Sequence, residues 1–165
     1  RYALRQGYQH VLTMDADGQH EAVWIDSLLE PVLAGRADVS IGCCVRRGSR
    51  ARKVAWKILK AFSGLSLEDI TSGFRVYNRV ALVLLAGWQA TLLEFQDVGV
   101  LVMLKNRGLR LEDVEVTMMP RRSGASRVYH SWFAVAYYML YTLLLGVSKR
   151  GVRTARNATA ARRRG

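Results

Sequence analysis

Short apolar runs alternate along this chain with segments of helical spacing, and that alternation predicts an α/β layer fold. Val11-Leu12-Thr13-Met14 and the run from Ala37 to Gly42 have the length and content of buried strands. Between them Ile25, Leu28, Leu29, Val32 and Leu33 recur at the interval of one helix face. Composition permits a core: half of the 165 residues are hydrophobic, with a mean hydropathy of +0.03. That balance excludes a chain disordered by composition and a multi-span membrane protein, and the length suits one domain.

Taken in order, Arg1-Tyr2-Ala3-Leu4-Arg5-Gln6-Gly7 reads as the last turns of a helix stopped by glycine. The chain opens in mid-element without an initiator Met or a signal peptide, so a fragment is expected. After the strand at Val11–Met14 and an acidic turn comes the helix through Leu33, closed by Gly35, with Pro31 expected to kink it. The second buried strand follows, then a basic loop and helix from Arg50 to Phe62 with Val54, Ile58, Leu59 and Phe62 as its apolar positions. Thr71-Ser72-Gly73-Phe74-Arg75-Val76-Tyr77 reads as a turn running into a strand. Helices are expected over Arg79–Ala86 and Asp97–Arg107. A last strand, Arg110–Met119, places Val114, Val116 and Met118 on one face and Glu115 and Thr117 on the other.

The stretch from Val128 to Val147 is apolar except for His130, Ser131, Thr142 and its tyrosine hydroxyls, and it is about long enough to span a bilayer. Its aromatic first half suits a membrane interface, where Trp and Tyr settle. Three readings stay open: an interfacial or re-entrant helix, a single span, and a buried core helix.

Net charge is +12, and the bases cluster where no acid stands. One group is Arg46, Arg47, Arg50, Arg52, Lys53, Lys57 and Lys60; the other is the tail from Lys149 to Arg164. Clustered positive charge implies an anionic partner: phosphate, anionic lipid or nucleic acid. The aromatics lie in apolar runs rather than among the bases, so nucleic acid is not the expected partner. Cys43 and Cys44 are adjacent, form no disulfide framework, and fit a reducing compartment.

Met14-Asp15-Ala16-Asp17-Gly18-Gln19-His20 carries the chemistry. Two carboxylates one residue apart at the end of a buried strand suit a hard divalent cation, which can neutralise a phosphate. The plainer reading is an acidic turn. An EF-hand loop also starts Asp-x-Asp and would place Asp26 at its twelfth position, but His20 stands where that loop needs glycine.

Further blocks follow in order: Ile41-Gly42; Asp69-x-Thr71-Ser72-Gly73-Phe74-Arg75-Val76-Tyr77-Asn78-Arg79; Glu94-Phe95-Gln96-Asp97; Gly108-Leu109-Arg110-Leu111; and Val114-x-Val116-x-Met118-x-Pro120-Arg121-Arg122-Ser123-Gly124-Ala125-Ser126. From Gly7 to about Leu145 this order resembles family 2 glycosyltransferases, in particular the polyprenyl (dolichyl-type) phosphate sugar transferases. The resemblance implies a partial GT-A-type, Rossmann-like fold with a C-terminal membrane-associated helix. Residues 1–127 would be the C-terminal part of the catalytic domain, 128–148 the membrane-associated helix and 149–165 a basic tail. It implies an inverting transfer of a sugar from an NDP-sugar donor to a polyprenyl phosphate acceptor, at the cytoplasmic face of a membrane, peripheral or single-span.

By position, the resemblance assigns Asp15, Asp17 and Gln19 to a metal, Mg²⁺ or Mn²⁺. Glu94 and Asp97 match the region of an acid near the acceptor; on residue type alone they also read as the acidic start of a helix. Asp69 joins them as a catalytic-cleft residue, and with Arg75 is expected to organise the site. Arg121, Arg122, Ser126 and Arg127, on a loop with Gly124 as hinge, are assigned to the donor phosphates together with Arg75. Two positions depart from the family pattern. Gly99 stands where relatives carry a second acid, and Cys43-Cys44 where they carry Ser-Arg, which leaves Arg46, Arg47 or Arg52 to take the acceptor phosphate. The strand with a nucleotide-holding acid that opens the family is not in this sequence, so the 165 residues alone are expected to bind donor poorly and turn over little. The alternative is a catalytically inactive fragment acting as a membrane-bound or nucleic-acid-binding basic module.

Overall fold

The computed structural model describes residues 1–44, 65–87 and 96–119, the backbone alone for 96–98. The expected helix at 50–62, the apolar stretch 128–148 and the basic tail lie outside the described residues.

Helix α1 (Tyr2–Arg5) is closed by Gly7 at φ +79°, a left-handed position that favours glycine. Strand β1 (His10–Thr13) follows, then a single 3₁₀ turn at Ala22–Trp24 and helix α2 (Ile25–Leu33). Pro31 does not break α2. Its ring removes the N–H that the Ser27 carbonyl would accept, but Ser27 is exposed to water, and the Pro31 carbonyl ends the helix by accepting from Arg36 and Ala37. Strands β2 (Val39–Cys43) and β3 (Arg75–Asn78) come next, then α3 (Arg79–Ala86), α4 (Gln96–Asn106) and β4 (Leu111–Glu115). The last strand is shorter than expected. Only the Val116 N–H continues its ladder, onto the Cys43 carbonyl, before the chain turns to the acidic loop.

The four strands form one sheet in the order β1-β3-β2-β4. β2 and β4 pair parallel, while β3 is antiparallel to both β1 and β2. This mixed α/β sheet is consistent with a GT-A-like fold. Alternation along the strands feeds two cores. Val11, Val39, Ile41, Tyr77 and Leu111 pack with α3 and α4, through Ala81, Leu82, Leu101 and Leu104. Leu12, Phe74, Val76, Val114 and Val116 pack on the other face with Leu28 and Val32 of α2. Among the described residues no helix is long and apolar enough to cross a membrane.

Because β1, β2 and β4 run together, Thr13, Cys43 and Glu115 end on one side of the sheet, where β3 begins after the turn at 71–74. The opposite side is closed by Asp38, Asn78 and Arg110. The Asp38 carboxylate accepts from the Asn78 amide at 2.9 Å and from the Arg110 backbone N–H at 2.8 Å, with the Arg110 guanidinium at 3.3 Å. Asn78 also caps α3, accepting from the Ala81 N–H at 2.9 Å.

Candidate active site at the carboxyl end of the sheet

Open α/β sheets bind ligands beyond the carboxyl ends of their strands, and here that end carries the acidic motif. The ladder between β1 and β3 sets Thr13 opposite Arg75. Two residues further out on each strand stand Asp15 and Gly73. They touch: the Asp15 carboxylate lies over the Gly73 Cα, with Oδ1 2.5 Å and Oδ2 2.9 Å from where a Cβ on Gly73 would be. Asp15 is exposed, and its carboxylate makes no ion pair among the described residues.

The loop that carries Asp15 is fixed at several points. The Asp15 N–H donates to His20 Nδ1 at 3.3 Å, so that ring nitrogen is the acceptor in this contact. That ring is buried and stacks on Phe74 with centroids 4.9 Å apart. Asp17 Oδ1 accepts from the Gln19 N–H at 3.1 Å, a local turn that the spacing Asp-x-Gln favours. Gln19 is buried. Its carbonyl accepts from the Met119 N–H at 3.0 Å, and its amide nitrogen points to the Met119 carbonyl at 3.5 Å. The acidic loop is therefore joined to the chain one residue before Pro120-Arg121-Arg122.

The turn at 69–75 is also self-locked. Asp69 Oδ1 accepts from the Thr71 N–H at 3.0 Å and the Thr71 hydroxyl at 2.9 Å. The Phe74 N–H donates to Ser72 Oγ at 3.3 Å, and the Thr13 hydroxyl donates to the Gly73 carbonyl at 2.8 Å. Arg75 is buried and donates to the Ile70 carbonyl at 3.3 Å. Asp69 and Arg75 thus sit inside the turn that backs Asp15.

Cys43, at the end of β2, has its thiol pushed up to about 12, first by burial and then by the carboxylates Asp113, Asp69, Glu115 and Glu68. It stays protonated near neutral pH, so the described site has no thiolate nucleophile there. Among the described residues no three His, Cys, Asp or Glu side chains converge to hold a metal. What the site offers is two carboxylates and an amide in a row.

Of the residues that the sequence singled out, Asp15, Asp17, Gln19, Asp69 and Arg75 meet at this end of the sheet. Asp97 lies in the first turn of α4, its side chain outside the described residues together with Glu94, Arg46, Arg47, Arg52, Arg121, Arg122, Ser126 and Arg127. The described chain reaches this end at Cys44 and again at Met119, the positions that precede the two arginine groups in sequence. Sequence reasoning missed Thr13, whose hydroxyl bond follows from the register of β1 against β3, and the stacking of His20 on Phe74, which only the folded loop brings together.

The known proteins that this chain resembles include two bacterial transferases. The chain is 30% identical over 139 residues to the polyprenol monophosphomannose synthase of Mycolicibacterium smegmatis, a match covering 77% of this chain and 52% of the relative. It is 31% identical over 144 residues to the undecaprenyl-phosphate mannosyltransferase of Micrococcus luteus, covering 78% and 56%. The chain thus spans about half the length of the curated relatives it matches. No protein-family profile matches it.

Proposed function

We propose that this chain, which belongs to the family 2 glycosyltransferases of the polyprenyl-phosphate sugar transferase type, carries part of a site that moves a mannosyl group from a nucleoside-diphosphate donor to a polyprenyl phosphate. The observation that supports this most is the exposed Asp15 carboxylate, held over Gly73 at the carboxyl ends of the strands and without an ion pair among the described residues. A carboxylate left open to solvent on one side and braced on the other is accessible to a divalent cation.

The donor set fits Mg²⁺ or Mn²⁺. Asp15 and Asp17 carry hard carboxylate oxygens, and Gln19 carries an amide oxygen beside them in sequence. Mg²⁺ is ordinarily held by one or two carboxylates plus substrate phosphate and water, so three acidic ligands are not needed. Bound there, the ion would offset the charge that builds on the departing diphosphate.

The chain's own residues do the rest. An oxygen of the acceptor phosphate attacks the anomeric carbon as the bond to the donor diphosphate breaks, and the nucleoside diphosphate leaves with that electron pair. The acceptor is already ionised at neutral pH, so Glu94 and Asp97 need only position it. Arg121, Arg122, Ser126 and Arg127 supply the fork-shaped and hydroxyl donors that grip donor phosphates. Arg46, Arg47 and Arg52 take the acceptor phosphate. Asp69 and Arg75 hold the turn behind Asp15. The basic groups favour an anionic membrane surface, where such an acceptor resides.

The test grafts this chain into the Mycolicibacterium relative in place of the segment it matches, and measures labelled mannose passing from nucleoside-diphosphate mannose to polyprenyl phosphate in vesicles. Transfer that requires Mg²⁺ or Mn²⁺ is expected. Absence of transfer by a folded graft, or transfer undiminished by a chelator, contradicts the reading.

A further inference from the structure

We propose that Gly73 is a positioning residue for the Asp15 carboxylate, its missing side chain being the space in which that carboxylate lies. The inference rests on the metal reading above and adds the residue that aims the ligand.

Glycine is not required at 73 by its backbone, since Gly73 is not among the glycines of positive φ (Gly7, Gly18, Gly35 and Gly108). What requires it is contact. A Cβ there would meet Asp15 Oδ1 at 2.5 Å, Oδ2 at 2.9 Å and Cγ at 3.0 Å, so the whole carboxylate rests on the bare Cα. Neither backbone can withdraw. The Gly73 carbonyl is held by the Thr13 hydroxyl at 2.8 Å, and the Phe74 carbonyl by the Gly42 N–H at 2.8 Å. On the other side the Asp15 N–H is held by His20, whose ring stacks on Phe74. The softest element is the Asp15 side chain itself. A methyl at 73 therefore leaves the fold standing and swings the carboxylate out of its place. Outer-sphere partners of this kind change metal affinity by roughly 10- to 100-fold.

The experiment titrates the protein with Mn²⁺ alone, followed by electron paramagnetic resonance, in wild type, Gly73→Ala, Asp15→Asn and the double variant. The ¹³C resonance of the Asp15 carboxyl is recorded without metal. Mn²⁺ affinity is expected to fall roughly 10- to 100-fold in Gly73→Ala, the double variant to be no weaker than Asp15→Asn, and the Asp15 resonance to move in Gly73→Ala. An unmoved resonance overturns the proposal. So does wild-type Mn²⁺ affinity in Gly73→Ala when Asp15→Asn has lost it, and that outcome leaves the metal reading intact. If Asp15→Asn binds Mn²⁺ like wild type, the metal reading fails, and a moved resonance still supports the contact. Should Gly73→Ala not fold, the pair Asp15→Ala with Gly73→Ala decides: a folded protein supports the contact, and an unfolded one overturns it.

Discussion

The two ends of this sheet use carboxylates in opposite ways. At the end formed by Asp38, Asn78 and Arg110, an aspartate accepts from two residues, Asn78 and Arg110, and both its oxygens are engaged. At the other end Asp15 is exposed, is not ion-paired among the described residues, and is supported from behind by a glycine. A carboxylate that serves the fold is surrounded by its partners. The one proposed to serve a ligand is braced from one side and left accessible on the other. Disturbing the first should cost stability and spare binding; disturbing the second should do the reverse.

The largest effect is expected where the proposed binding end meets the core. Phe74 is fully buried between α2 and the sheet and also carries His20. Phe74→Ala should cost about 3–5 kcal/mol, read by chemical denaturation, and should also loosen the acidic loop. Loss of stability without loss of Mn²⁺ affinity would separate the two roles that the structure joins in this ring.

Next comes the closed end. Burial opposes ionisation of Asp38, but the Arg110 guanidinium and backbone amide and the Asn78 amide outweigh it and hold the carboxyl below the usual carboxylate range. A depressed folded value means stability that is present above the unfolded value, near 4, and is lost as pH falls through the folded one. Wild type should therefore lose part of its denaturation free energy between about pH 5 and pH 2, and Asp38→Asn should show a flatter profile there. Asp38→Ala should cost about 2–3 kcal/mol at pH 7, since it removes charge-assisted bonds from Arg110 and the cap partner Asn78, and should leave Mn²⁺ affinity unchanged.

Gly42 is a smaller case of the same packing logic as Gly73, with buried apolar side chains rather than a carboxylate as neighbours. A Cβ there meets Phe74 Cδ1 at 3.1 Å and Val116 Cγ2 at 3.3 Å. Gly42→Ala should lower stability by about 1–3 kcal/mol through crowding of the α2 face. At the bottom of the scale, Glu30 and Arg36 form an ion pair with both side chains more than half exposed. Glu30→Gln should leave the melting temperature unchanged within error, because water and salt screen such pairs.

Much of the fold was legible from periodicity. The helix over Arg79–Ala86 coincides with α3, and α4 and α2 fall within a residue or two of their expected spans. These segments bury one face or all of it, so local pattern and tertiary packing agree. The position of β3 between β1 and β2, antiparallel to both, was not legible, because a four-residue strand carries no mark of its partners. β4 is shorter than the sequence pattern because Val116 and Met118 keep the strand alternation past Glu115, with their side chains in the α2-face core, while only the Val116 N–H still bonds to the neighbouring strand. At the candidate site, Asp15 and Asp17 stand out by residue type, and Gln19 only by its position in the family resemblance. The role of Gly73 does not, since a glycine in a turn reads as a bend, and only the register that sets it across from Asp15 shows contact as the cause. Thr13 looked like an ordinary strand residue for the same reason.

The most direct test of the account compares Asp15→Asn with Asp38→Asn in the grafted transferase, measuring Mn²⁺-dependent mannose transfer to polyprenyl phosphate at equal folded concentration. The account predicts that Asp15→Asn loses transfer by roughly two orders of magnitude or more, several kcal/mol of transition-state stabilisation, while Asp38→Asn transfers at the wild-type rate. Equal transfer by both variants, or a deeper loss in Asp38→Asn, would contradict it.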